Sequence, residues 1–284
     1  MFEDRIAAQM SIQDEILYSI EGKRFDNLPD ESSTERNLLR FNYQPRRSRS
    51  NHLTAYDARS GRLLWTLPPL ESEAGTVADL EVESPWLQSG GFMSAPIHYA
   101  GLAIVPVNQA GAISIYALDP NQAGKTVWKS YLCDESDSGA NPYSPINVSV
   151  DGSDLFASCG LGAVFIMDPA TCLIRFAKRY PRRCKINMTT GRFGRGMQQI
   201  QFESWSSDTV LAFGRQMICF SSDARHIEAH DRNTGELIWQ SDVYPLEARV
   251  DYLLGIYNGL LYAAGPETIL AFDLQQEGRM VWGG

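Results

Sequence analysis

One phrase recurs five times along this chain and constrains what it can fold into. "YDARSGRLLW" runs from Tyr56 to Trp65, "LDPNQAGKTVW" from Leu118 to Trp128, "HDRNTGELIW" from His230 to Trp239 and "FDLQQEGRMVW" from Phe272 to Trp282. A worn copy, "MDPATCLIRF", runs from Met167 to Phe176. The anchors are Asp57, Asp119, Asp168, Asp231 and Asp273, and an aromatic follows each by eight or nine residues. A catalytic constellation should occur once. A phrase at five places is architecture, one unit per copy, each burying its core only against its neighbours.

The chemistry of the phrase predicts a hairpin. A short apolar strand precedes each Asp: "HLTAY", "ISIYAL", "AVFIM", "HIEAH", "TILAF". Period-two alternation puts the small or aliphatic residue two before the Asp (Ala55, Ala117, Ile166, Ala229, Ala271) on one strand face. The Asp suits a turn in which its carboxylate accepts backbone N–H groups. Gly61, Gly124, Gly235 and Gly278 supply the positive φ of a tight turn. Cys172 replaces that glycine in the worn copy, which predicts a strained or differently shaped turn there. The aromatic (Trp65, Trp128, Phe176, Trp239, Trp282) opens the next strand and is placed to pack against a neighbouring unit.

Two further strands precede each hairpin. "SAPIHYAGLAIVPV", "SPINVSVDGSDLFASCG" and "ARVDYLLGIYNGLLYAAG" each read as strand, turn, strand, the last with Asn-Gly at its turn. "IAAQMSIQDEILYSIEG" and "SWSSDTVLAFGRQMICFSSD" are weaker versions. Four antiparallel strands per unit make the blade of a β-propeller. The units lie at about 5–68, 91–132, 144–180, 204–245 and 248–284 of a single domain spanning 1–284.

The order Asp, Gly, Trp resembles the pyrroloquinoline-quinone-type propeller repeat of quinoprotein alcohol dehydrogenases and of a propeller lipoprotein in the outer-membrane barrel-assembly machinery. "HDRNTGELIW" and "YDARSGRLLW" carry the resemblance most closely. It implies an all-β propeller of four-stranded antiparallel blades. Related rings have roughly six to eight blades, so five units imply a truncated or split propeller, or an arc completed by another chain. The resemblance also suggests a bacterial periplasm or cell-envelope setting for a full-length form, although the start "MFEDRIAAQMSIQDEILYSI" has no apolar signal region.

The resemblance carries little function. Quinoprotein enzymes hold a Ca²⁺-bound quinone with a Glu/Asn/Asp set, use an Asp base, and often place adjacent cysteines above the cofactor. No Cys-Cys pair occurs here, and no second cluster supplies ligands. The expectation is a non-catalytic interaction or ligand-binding scaffold with no cofactor. The alternative is a fragment of a quinone-dependent dehydrogenase, taking pyrroloquinoline quinone with Ca²⁺, or of a carbohydrate-processing enzyme. The five cysteines (Cys133, Cys159, Cys172, Cys184, Cys219) support neither a complete disulfide framework nor a zinc cluster. A net charge of −9 disfavours nucleic acid, and no apolar run is long enough for a membrane span. A protein partner, or missing blades, remains the expected company.

Three segments stand outside the repeat. Residues 22–50 form a polar insertion and 66–90 an acidic connection. The stretch "KRYPRRCKINMTTGRFGR" (Lys178–Arg195) holds seven Lys or Arg and no acid. It reads either as a solvated connection or as a loop that grips an anionic group or acidic partner through Arg182, Arg183, Lys185, Arg192 and Arg195. "HIEAH" puts His226, Glu228 and His230 on one strand face, but the three span about 13 Å, too far for easy shared ligation. Matching positions in other copies, such as Thr54 and Tyr56, mark an inter-blade packing face instead.

Overall fold

A computed structural model describes residues 9–22, 51–67, 90–109, 111–134, 146–158, 162–180, 184–190, 196–202, 210–220, 226–242, 250, 252–265 and 267–283. Five antiparallel sheets follow one another along the chain. The first contains β1 (Met10–Gln13), β2 (Ile16–Gly22), β3 (Asn51–Asp57) and β4 (Leu63–Leu67). The second contains β5 (Gly90–Phe92), β6 (Ile97–Tyr99), β7 (Leu102–Gln109), β8 (Ala112–Asp119) and β9 (Lys125–Asp134). The third contains β10 (Asn147–Asp151), β11 (Asp154–Ser158), β12 (Ala163–Asp168) and β13 (Leu173–Arg179). A separate hairpin of β14 (Cys184–Thr190) and β15 (Gly196–Phe202) follows. The fourth sheet contains β16 (Val210–Phe213), β17 (Gln216–Cys219), β18 (His226–Asp231) and β19 (Leu237–Asp242). The fifth contains β20 (Tyr252–Tyr257), β21 (Leu260–Ala264), β22 (Ile269–Asp273) and β23 (Arg279–Gly283).

In the second sheet, β5 and β6 both pair with β7 and together replace one unbroken first strand. The five sheets are therefore propeller blades of four-stranded plan. Each packs on the next in chain order, the first on the second through β3 and β5 and the later ones mainly through the first strands β6, β10, β16 and β20. Among the described residues the fifth sheet makes no comparable contact with the first, so the blades form an open arc.

The recurring phrase is one turn built five times. The Asp57 carboxylate accepts the N–H groups of Arg59 (3.2 Å) and Ser60 (2.7 Å), and Asp231 those of Asn233 (2.8 Å) and Thr234 (3.2 Å). Asp119, Asp168 and Asp273 accept from Asn121, Ala170 and Gln275 at 2.8–2.9 Å. The Asp carbonyl accepts the N–H of Gly61, Cys172 or Gly235 four residues on. In the two longer copies it accepts from Gly124 or Gly278 five residues on. Cys172 has φ +61°, in the region of Gly61 and Gly235. The worn copy thus keeps the turn's shape and places a side chain in left-handed backbone, which disfavours residues with a Cβ.

Each outer strand bulges at the same place. Ala55 faces Trp65, Ala117 faces Trp128, Ile166 faces Phe176, Ala229 faces Trp239 and Ala271 faces Trp282, and one extra residue sits on the outer strand just before each ring. The bulge turns the aromatic onto the face of the small residue opposite it. There the ring reaches the next blade. A Cβ added to Gly278 would lie 2.3 Å from the Trp239 ring, one on Gly235 would lie 3.1 Å from Phe176, and one on Gly124 would lie 2.8 Å from Leu67 and 3.1 Å from Trp65. The glycine of one turn is the seat for the preceding blade's aromatic.

This separates two demands on the repeat glycine. Gly278→Ala should cost about 1–2 kcal/mol for the left-handed backbone and a further ~1–3 kcal/mol for overpacking against Trp239. Gly61→Ala, with nothing described within 4 Å of its Cβ position, should cost only the first. Urea unfolding of the two variants checks this. Equal losses would mean that the ring does not press on the turn.

Candidate interaction surfaces

The joints between blades differ in chemistry. Trp65 donates its indole N–H to the Pro120 carbonyl of the next blade at 3.0 Å. Trp239 donates to Gln216 Oε1 (2.9 Å), whose amide nitrogen donates to the Leu274 carbonyl of the fifth blade at 3.3 Å. Direct in one joint and relayed in the other, both bonds end on the residue after the repeat Asp. At the joint of the second and third blades, Ser130 Oγ donates to the Cys172 carbonyl at 3.2 Å. Phe176 has no donor, and Arg232 holds its joint instead. Its guanidinium donates to Asp154 (2.7 Å), Asp151 Oδ2 (2.6 Å) and the Asp151 and Gly214 carbonyls, and lies 5.5 Å from the Phe156 ring centre. Burial works against the charge on Arg232, but the two carboxylates outweigh it and raise its pKa.

A concavity of about 400 Å³ opens at the inner edge where the first three blades converge. Ser11, Ile12 and Gln13 of β1, Pro96, Ile97 and His98 at β6, and Val148, Ser149 and Val150 of β10 line it. Ile12 is 67% exposed and its neighbour Met10 65%. Ser149 Oγ donates to the Val210 carbonyl at 2.8 Å, which ties the inner strands of the third and fourth blades. Ser11 Oγ is buried without a hydrogen-bond partner. His98 lies 3.2 Å from the Tyr18 hydroxyl and 3.4 Å from the Asp14 carboxylate, and burial lowers its pKa against the pull of Asp14. Burial likewise raises the pKa of Tyr18. This surface was not legible from the repeat, because its lining comes from the least patterned strand of each blade.

The basic stretch is not a plain loop. Lys185 lies on β14, paired in register with Gln201 on β15, so Cys184–Thr190 is strand. A connection of this length gains backbone hydrogen bonds by folding on itself, which a reading by charge alone overlooks. Arg182, Arg183, Arg192 and Arg195 lie outside the described residues, as do nearly all of 22–50 and 66–90. In "HIEAH" the structure joins His230 Nε2 to Glu228 Oε2 at 2.9 Å, with His230 fully buried on the face toward the third blade. Among the described residues no three His, Cys, Asp or Glu side chains converge on a metal position. Cys172 is a free thiol, and no described helix is long and apolar enough to cross a membrane.

No family model and no curated protein matches the chain. Solved structures do. BamB from Moraxella catarrhalis is similar at a TM-score of 0.50 and 17% identity, over 83% of this chain and 59% of that one. The computationally designed Ika8 protein gives 0.50 and 10%, over 97% of this chain and 60% of that one. A chain of the mitotic checkpoint complex gives 0.53 and 11%, over 100% of this chain and 67% of that one. At these identities the likeness is one of fold. The chain spans about three fifths of the length of the first two.

The repeat turns make the fold acid-sensitive. The Ser60 hydroxyl and backbone N–H hold the Asp57 carboxyl below the usual range, the Ala170 N–H does so for Asp168, and the N–H groups of Asn233 and Thr234, with Arg215 at 2.6 Å, do so for Asp231. A depressed folded pKa means that the unfolded chain takes up protons first as pH falls. The contribution is complete above the unfolded value of about 4 and is lost as pH drops through the folded values. Thermal melts should fall as pH drops below about 4. Asn at positions 57, 168 and 231 keeps the turn acceptor, so the triple variant should show a flatter acid limb.

Proposed function

We propose that this chain is a non-catalytic propeller of the quinoprotein-like repeat class that holds a protein partner along its inner edge. The observation that carries the reading is the concavity at β1, β6 and β10. It combines the exposed Ile12 and the half-buried Ile97, Val148 and Val150 with a few hydroxyl, amide and imidazole groups. Such a surface suits a partner's apolar side chains flanked by polar backbone, as in protein interfaces with an apolar centre and polar rim. Similarity in fold to a chain of the mitotic checkpoint complex is consistent with a scaffold, though a propeller alone does not choose a function. The basic residues Arg182, Arg183, Lys185, Arg192 and Arg195 offer a second contact for an acidic group. On this reading the propeller works in the cell envelope.

A photo-reactive side chain at Ile12 should give a discrete cross-link to a protein from the source organism, and the same group at Leu173 on an outer strand should not. Equal products at both positions, or none at Ile12, would remove the inner edge as the contact. Replacing Arg182, Arg183 and Arg192 with Ala should weaken that cross-link if the basic stretch contributes. Pyrroloquinoline quinone with Ca²⁺ should leave the melting temperature unchanged, since a ligand specific for the folded state must raise it. A rise would favour the enzyme-fragment reading.

A further inference from the structure

The two ends of the arc are the two halves of one joint. At each internal joint a blade presents a stripe of aromatic or aliphatic, small or aliphatic, and aromatic residues to the next. In the first blade this stripe is Tyr18, Ala55 and Trp65, with the Tyr18 and Trp65 ring centres 5.9 Å apart and Trp65 only 8% exposed. The fifth blade carries the same stripe as Tyr262, Ala271 and Trp282. Its ring centres are 6.1 Å apart at a similar angle, so Trp282 is already set as Trp65 is. Yet Trp282 is 47% exposed.

The opposite end carries the complementary face. The receiving face of a blade is the pair before the repeat Asp, together with the glycine of its turn. That pair is fully buried in the later blades, as in Leu155–Met167 and Leu261–Phe272. In the first blade it is Leu17–Tyr56, and both residues are only half-buried. Gly61 holds the receiving backbone at φ +69°, and no described atom lies within 4 Å of its Cβ position. Every internal seat of this kind that has a glycine is filled by the preceding blade's ring.

We propose that a second copy of this chain docks head to tail, with Trp282 of one copy seated on Gly61 of the next. The interface continues the joint already repeated inside the chain, and each copy carries both halves. It is heterologous, so copies add in one direction and either close a ring or extend. It does not use the inner-edge concavity, and a substitution at Ile12 should leave it intact.

Light scattering behind a sizing column, run over a concentration series, tests the proposal. The wild-type chain should gain mass with concentration. Trp282→Ala lacks the ring, and Gly61→Asn keeps the left-handed turn, since Asn tolerates that backbone, while its Cβ fills the seat. Each variant alone should remain monomeric with an unchanged circular dichroism spectrum. Mixed, they should form a one-to-one complex, because the Gly61→Asn copy still offers Trp282 and the Trp282→Ala copy still offers Gly61. A wild-type chain that stays monomeric throughout would overturn self-docking and leave the ends to blades from another polypeptide. Association that survives in both variants, or a mixture that fails to pair while the wild type associates, would overturn the seating of Trp282 on Gly61.

Discussion

An aromatic ring pressed onto a glycine of the next blade is the contact on which the arc depends. It sets three requirements at once. The turn needs left-handed backbone, the seat must lack a Cβ, and the strand opposite the ring must carry a small or aliphatic residue. The five bulges meet the last need by bringing ring and small residue to one face. The Asp meets the first by tying down the turn's N–H groups before the glycine is reached. Asp, Gly, the small residue and Trp are one device, which is why they travel together.

The Asp-to-Trp spacing exposed this device in the sequence because local turn chemistry is written in adjacent residues. What the ring touches was not written there. That Trp65 rests on Gly124, and Trp239 on Gly278, follows from how twisted sheets stack, and the contact joins residues of different copies. Strand β5 was missed because Gly90–Phe92 is too short to show alternation; it is held by pairing with β7 and by Asn51, which bonds the backbone of Phe92 in both directions. The β14–β15 hairpin was hidden by its charge, although two seven-residue strands flank a glycine-bearing stretch of sequence there.

The inner-edge concavity was illegible for a different reason. A first strand lining an open axis has no neighbour on one side, so its residues need not alternate. Ile12 stays exposed beside Ser11 and Gln13, and nothing in that run marks it as a surface. Function on a propeller is carried by such unpatterned positions, whereas the repeat records only what holds the blades together.

The third blade departs from the repeat twice. Its turn has Cys172 in place of glycine, and its outer strand has Phe176 in place of Trp. Both of its joints are therefore altered, and each is supplemented by a polar contact: Ser130 on the Cys172 carbonyl at one side, Arg232 on Asp151 and Asp154 at the other. In a linear array, stability is a sum over neighbouring interfaces. Among the described residues, the joint of the third and fourth blades is the one held by an arginine paired with two carboxylates. Salt screens such a charge pair, whereas kosmotropic salts strengthen apolar burial. Ionic strength therefore bears on that joint differently from the joints that lack such a pair.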